Sequence, residues 1–444
     1  MLMEAALASV RFGLGAQPGE MARAAADPQA WLRAQINPTA AHLGTRAAQA
    51  LPTSNDAITA LVKRRKDMKA GGDEALRRAA RRSLVQEISA RNQHAQRTQT
   101  PFAERWAQFW ANHFTVAATR IETVYLAGPF EREAIRPHVF GRFETLLKAA
   151  TLHAGMLSYL DNHRSFGPST RVAQRRGLGL NENLAREVLE LHTLGVDGGY
   201  TQTDVESLAK ALTGYVPGFS PAARRDPGKP VVFAEFVHEP GAKTLMRQCF
   251  RADGQGQAPA MLDFLSQHPS TANHISRKLA RHFIADMPPR SAVDALTHTF
   301  NRTRGDLGAI AQQLIELEEA WALPLVKVKT PQELMISAAR ILGLSSAFGG
   351  ARKSYAGFAQ TPLLAPSPAG WADTADVWLS PDAMMKRVEW ANQVARRSRM
   401  PANVFLTEAL GPLASAADHS TLRRAESPAQ AMTLALMSPA FQRR

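Results

Sequence analysis

The chain has 444 residues, 45% hydrophobic and 21% charged, an ordinary globular composition that excludes a disordered polymer and leaves room for two or three subdomains. Its net charge of +14 attracts polyanions without choosing among nucleic acid, anionic lipid and acidic polysaccharide. A single cysteine, Cys249, excludes an intramolecular disulfide and a cysteine-built zinc site, and no run of about 18 apolar residues reads as a membrane-spanning helix.

In chain order, residues 1–20 (MLMEAALASVRFGLGAQPGE) have Glu4 and Arg11 bracketing a short apolar stretch with no basic leader. The expectation is a sequence without an export signal, cytoplasmic as written. Alanine-rich segments with apolar residues three and four apart dominate and strand-like alternation is nearly absent, so the expected fold class is all-α, predominantly helical, with long irregular loops and at most a small hairpin. Asp27-Pro28, Thr100-Pro101, Thr330-Pro331 and Ser380-Pro381 each pair a capping side chain with proline at a first helical position. The expected division is a helical region over 1–213, a Pro-rich loop with short strands over 214–243, and a helical region over 244–444 with a Gly/Pro-rich loop at 345–371.

Between Lys63 and Arg97, eleven Lys and Arg face four acids. Leu76, Ala80, Leu84 and Ile88 recur every four residues, so the stretch reads as an amphipathic helix whose other face carries Arg77, Arg78, Arg81 and Arg82. These four are the candidate polyanion contacts, against the plainer reading of a solvated face. The stretch holds no Phe, Tyr or Trp to stack bases, so any nucleic-acid binding there is sequence-independent and salt-sensitive.

ERWAQFWANHFTV (104–116) sets Trp106, Phe109, Trp110 and His113 on one helical face, a core stripe with Asn112 and His113 as polar exceptions. The block over 181–215 is richest in polar chemistry. On a helix Asn183, Glu187 and Glu190 share a side, and Arg186 lies four residues from Glu190. That helix ends near Gly195, and Thr201 or Thr203 caps the next one in a capping box with Asp204 or Glu206. Two neighbouring carboxylates attract a cation. One reading therefore gathers Asn112, His113, Asn183, Glu187, Glu190 and His192 as an acid-base site, with His113, Glu187 and Glu190 as ligands of a divalent metal. The other pairs the glutamates with Arg186 and further arginines as interior bracing. His192 follows Glu190 by only two residues, so a Glu-x-x-His di-iron pattern is absent. Farther on, residues 268–289 read as an amphipathic helix with Thr271 as its cap and Arg277, Lys278 and Arg281 on a wet face. Phosphate-binding glycine loops, GxSxG, HExxH and paired CxxC are missing.

RFGLGAQPGE, FWANHFTV, NENLAREVLELHTLGVDGGYTQTDV, ALTGY, HEPGAKTL, STANHISRKLARHFIADMPP, KTPQEL, PSPAGWADTADVWLSP and SPAFQRR together resemble, in order and over nearly the whole chain, the bacterial family called domain of unknown function 1800. That resemblance implies no established activity. It implies company with an alkaline-phosphatase-like family, domain of unknown function 1501, and an envelope or periplasmic setting, which the missing leader opposes. Tyr215 stands where relatives usually have tryptophan. Three readings follow: a partner or scaffold subunit acting with a phosphatase-like or sulfatase-like protein on an envelope-associated anionic substrate; an enzyme, metal-dependent hydrolases included; and non-specific polyanion or nucleic-acid binding.

Overall fold

The structure is a computed structural model that describes residues 2–44, 46–67, 73–225, 228–344 and 357–444. Helix occupies 64% and strand 4%, which makes the fold all-α with two small hairpins. The elements that shape the site are, in chain order, α1 (Ser54–Asp67), α2 (Asp73–Arg97), α3 (Pro101–His113), α4 (Ile121–Phe130), α5 (Asn183–Glu187), α6 (Gln202–Leu212), α7 (Pro269–Phe283), α8 (Arg290–Thr303), α9 (Pro331–Leu342), α10 (Pro381–Ala395) and α11 (Pro428–Met437).

Proline supplies a helical φ and lacks the N–H that a first turn would leave unpaired, so helices begin where such pairs occur. Asp27 accepts from the Ala30 N–H at 2.8 Å, Ser380 accepts from the Ala383 N–H, and Thr330 forms a reciprocal box with Glu333. Thr100 precedes α3 without a side-chain cap bond, its hydroxyl donating to the Ala40 carbonyl instead. The expected Thr271 cap is corrected. Pro269 starts α7 two residues earlier, the His268 ring accepts from the Ser270 N–H, and Thr271 donates its hydroxyl to the Leu265 carbonyl. The box behind α6 forms between Thr201 and Asp204.

In the Pro-rich loop, β1 (Tyr215–Pro217) pairs antiparallel with β2 (Val231–Phe233), Val216 opposite Val232. A second hairpin, β3 (Lys243–Leu245) with β4 (Gln248–Phe250), turns through Met246 and Arg247, both at positive φ. Strands of three residues are too short to show alternation, so the sequence does not announce it.

Two large apolar cores result. The first draws on residues from Ala8 to Ala320, with Phe102, Trp106 and Trp110 of α3 against Phe143 and Phe283. The second joins Leu7, Val10 and Leu14 to α9, α10 and α11. Arg340 of α9 rivets that junction: buried, it donates to the Gly15 carbonyl at 2.8 Å and pairs with Glu20 at 2.6 Å. Only such pairing offsets the cost of removing two charges from water.

Candidate functional site

The polar block over 181–200 divides its side chains between two environments. α5 runs into a wider turn, Val188–His192, which turns His192 into the interior at 1% exposure while Glu187 and Glu190 stay half-buried. Asn183 is exposed, its N–H donating to the Asn181 side chain. Arg186 does not reach Glu190. It points back one turn to Glu182 at 3.0 Å and across to Gln202 at 2.9 Å, because helical side chains lean toward the N-terminus. Burial and the neighbouring Glu190 raise the Glu187 carboxyl above its ordinary range. Burial first, and then the neighbouring Glu190, raise the Tyr200 hydroxyl above its ordinary value.

His113 and His192 do meet, with ring centres 5.9 Å apart. His113 Nε2 donates to the His192 carbonyl at 3.2 Å, which leaves its Nδ1 as a buried lone pair without a partner. Among the described residues both nitrogens of His192 lack one as well. Burial, then the charge of Lys278, pushes His192 down to about 3 and His113 well below its ordinary value, so both are neutral. Among the described residues no group of three or more His, Cys, Asp or Glu is gathered as a metal would require. The structure does not bring His113, Glu187 and Glu190 together: the imidazole enters the core from α3, while Glu187 and Glu190 stay half-buried along 187–190.

A cavity of about 430 Å³ opens instead between α3, α7, the first turn of α9 and the segment 360–374. It takes Asn112 and His113 from the expected set and none of Asn183, Glu187, Glu190 or His192. From α7 come His274, Lys278, Arg281 and His282, a single stripe at helical spacing. The loop closing the cavity is tied to α3 by Asn112, whose amide donates to the Trp371 carbonyl at 3.0 Å and accepts from the Trp371 N–H at 2.7 Å. Gly370 makes this contact feasible. Its φ is +82°, and a Cβ there would stand 2.4 Å from the Asn112 carbonyl oxygen.

Each carboxylate in the cavity wall already has cations of its own. Glu131 pairs with Arg91 at 3.2 Å and Arg136 at 2.6 Å. Glu333 pairs with Arg105 and, at 2.9 Å, with Arg444; although burial alone would raise it, these two guanidinium groups hold it down to about 2. Asp373 accepts from His282 Nδ1 at 2.8 Å and from Arg444 at 3.3 Å, with Lys327 3.4 Å away. The cations of α7 are less engaged. Lys278 makes no hydrogen bond or ion pair among the described residues, and burial pushes its ammonium down to about 8 although Asp373 opposes the shift. Among the described residues Arg281 donates only its Nε, to the Asp286 carbonyl at 3.1 Å. His274 donates Nε2 to the Leu191 carbonyl, and burial, then Lys278, brings it to about 4.

Lys278 and Arg281 are thus the residues that reading the sequence as a wet face passed over; Arg277, on the same helix, is exposed. The available signal was the one-sided run His274, Lys278, Arg281, His282 opposite the apolar Ile275 and Leu279. The expected polyanion arginines lie on α2, all exposed, with Arg78 paired to Glu74 at 3.5 Å and Arg77 and Arg81 bordering a separate groove.

The family model described as protein of unknown function (DUF1800) matches residues 8–443. No curated protein and no solved structure matches the chain.

Proposed function

This chain belongs to the DUF1800 family, whose description assigns no activity, and from the site geometry we propose that it binds an anionic ligand bearing a phosphate or sulfate group in the cavity beneath α7. One observation carries the reading: Lys278 and the forked end of Arg281 line the cavity without acceptors, while Glu131, Glu333 and Asp373 are each matched to other cations. A half-buried ammonium without a counter-ion is a standing cost, and a tetrahedral oxyanion bridging positions 278 and 281 removes it through charge-assisted hydrogen bonds. Trp371, half-buried at the rim, and the amides of Gln108, Gln332 and Gln360 supply a face and polar edges for the rest of such a ligand.

Calorimetry with inorganic phosphate and sulfate tests this. Lys278→Met is expected to weaken binding by at least about tenfold, the loss of one charge-assisted hydrogen bond; unchanged affinity removes the reading.

The expected phosphatase-like or sulfatase-like partner fits a division of labour in which this chain holds the anion and the partner cleaves the ester. Co-expression is then expected to yield the two in near-equal amount. A chain that elutes alone removes the partner and leaves the pocket standing.

A second reading, catalysis by this chain, draws on Lys278 itself. At about 8, without an acceptor and facing the neutral rings of His113 and His274, it has the character of a general base. Release of nitrophenol from a nitrophenyl phosphate or sulfate by the purified chain, abolished in Lys278→Gln, would favour this reading over binding alone.

A further inference from the structure

The basic helix α2 borders a second cavity, about 480 Å³, that the anion pocket does not use. Its floor and its rim differ in character. Ala80, Leu84, Val85 and Ile88 of α2 recur at helical spacing and face Ile121 and Val124 of α4, so the floor is apolar. Ile88 is 3% exposed, whereas Val85 is left 42% exposed at the edge.

The rim is cationic, and most of its charge is already engaged. Arg64 lies 3.7 Å from Glu122, the one carboxylate of the lining. Arg120 Nη1 donates to both carboxylate oxygens of Asp161 at 2.7 and 2.9 Å, and its Nη2 donates to the Ser158 and Tyr159 carbonyls. Arg81 has no hydrogen bond or ion pair among the described residues, and it stands one turn from Leu84 and Val85.

We propose that this groove is a second binding site, for a single-chain amphiphile whose oxyanion head meets Arg81 and whose alkyl tail lies along Leu84, Val85 and Ile88. Charge complementarity selects the head, and the apolar floor selects the tail. A nucleic acid would meet no aromatic ring in the lining on which to stack and would leave the floor unused. The floor lies between α2 and α4, with Ile88 3% exposed, a placement that suits one alkyl chain. A volume of this size lies in the range of small-molecule sites.

The probes are dodecanoate and dodecyl phosphate, each below its micelle concentration, titrated into the full chain by calorimetry, with dodecanol and inorganic phosphate as controls. Both anionic amphiphiles are expected to bind. Arg81→Glu is expected to weaken them by at least about tenfold, the loss of a charge-assisted contact, and Val85→Asp to do the same at an exposed position that leaves folding intact, checked by circular dichroism. Lys278→Met, which weakens the first pocket, is expected to leave them unchanged. Equal binding of dodecanol, retention of affinity in both groove variants, or loss of affinity in Lys278→Met would each overturn the proposal.

Discussion

Asn112 and Trp371 stand 259 positions apart in the sequence and close a ring of two hydrogen bonds, the side-chain amide of one reading the backbone N–H and C=O of the other. The loop that roofs the cavity is therefore fastened to the aromatic helix beneath it. Asn112→Ala is expected to cost about 1–3 kcal/mol by leaving those backbone groups unpaired, and to weaken phosphate binding with it. Gly370→Ala should cost more, since it imposes both a positive φ on alanine and a collision with the Asn112 carbonyl oxygen. Urea denaturation gives both numbers.

Phosphate or sulfate binding should fall as pH rises through about 8, where burial has set the Lys278 ammonium. The sign follows from the protonated form being the one that holds the anion; the bound anion in turn raises the lysine, so the midpoint moves upward with ligand concentration. Titrations from about pH 6 to about pH 10 check this. Lys278→Arg, whose charge persists, should flatten the profile.

Acid should destabilise the fold in two separate windows. His192, His274 and His282 are held by burial at about 3, 4 and 4, against 6.5 when exposed. Between about 4 and 6.5 the unfolded chain binds protons that the folded chain refuses, so stability decreases as pH falls through that interval. The depressed carboxylates Glu333 and Asp373 contribute stability above their unfolded values near 4 and lose it only below that. His192→Leu should make the first decrease shallower and leave the second in place. An unaltered slope between about pH 6.5 and 4 would show that burial of this ring is not a cause.

Arg444 is fully buried and spans Glu333 and Asp373. Arg444→Met is expected to lower stability by roughly 3–5 kcal/mol, because two carboxylates lose a buried partner. It should also weaken anion binding, since Asp373 and Glu333 would then compete for Lys278 and Arg281. Denaturation and phosphate calorimetry on the same variant report the two effects.

Local punctuation was legible in the sequence. The Asp27, Thr330 and Ser380 caps and the Thr201–Asp204 box depend on neighbours within a few positions. The candidate site was only half legible. Asn112 and His113 reach the cavity, yet Glu187 and Glu190 do not line it, and the wider turn after α5 carries His192 into the interior. Lys278 and Arg281 gain their meaning from Glu333, Asp373 and Arg444, and no spacing along the chain reports that those carboxylates are already occupied. The expected polyanion face resolves into paired, exposed and groove-lining arginines for the same reason. Residues 345–356 of the expected Gly/Pro-rich loop lie outside the described residues, and the rest of it, through Trp371, forms the pocket roof.

The second core places Leu7, Val10 and Leu14 against side chains that the ribosome adds more than three hundred residues later, up to Leu436 and Phe441. Ile88 and Ala95 of this core follow early, but most of the strip that shields the first helix arrives only after residue 325. Such distant closure slows the search for the native state and leaves a sticky surface open meanwhile, a natural place for a holding chaperone to act.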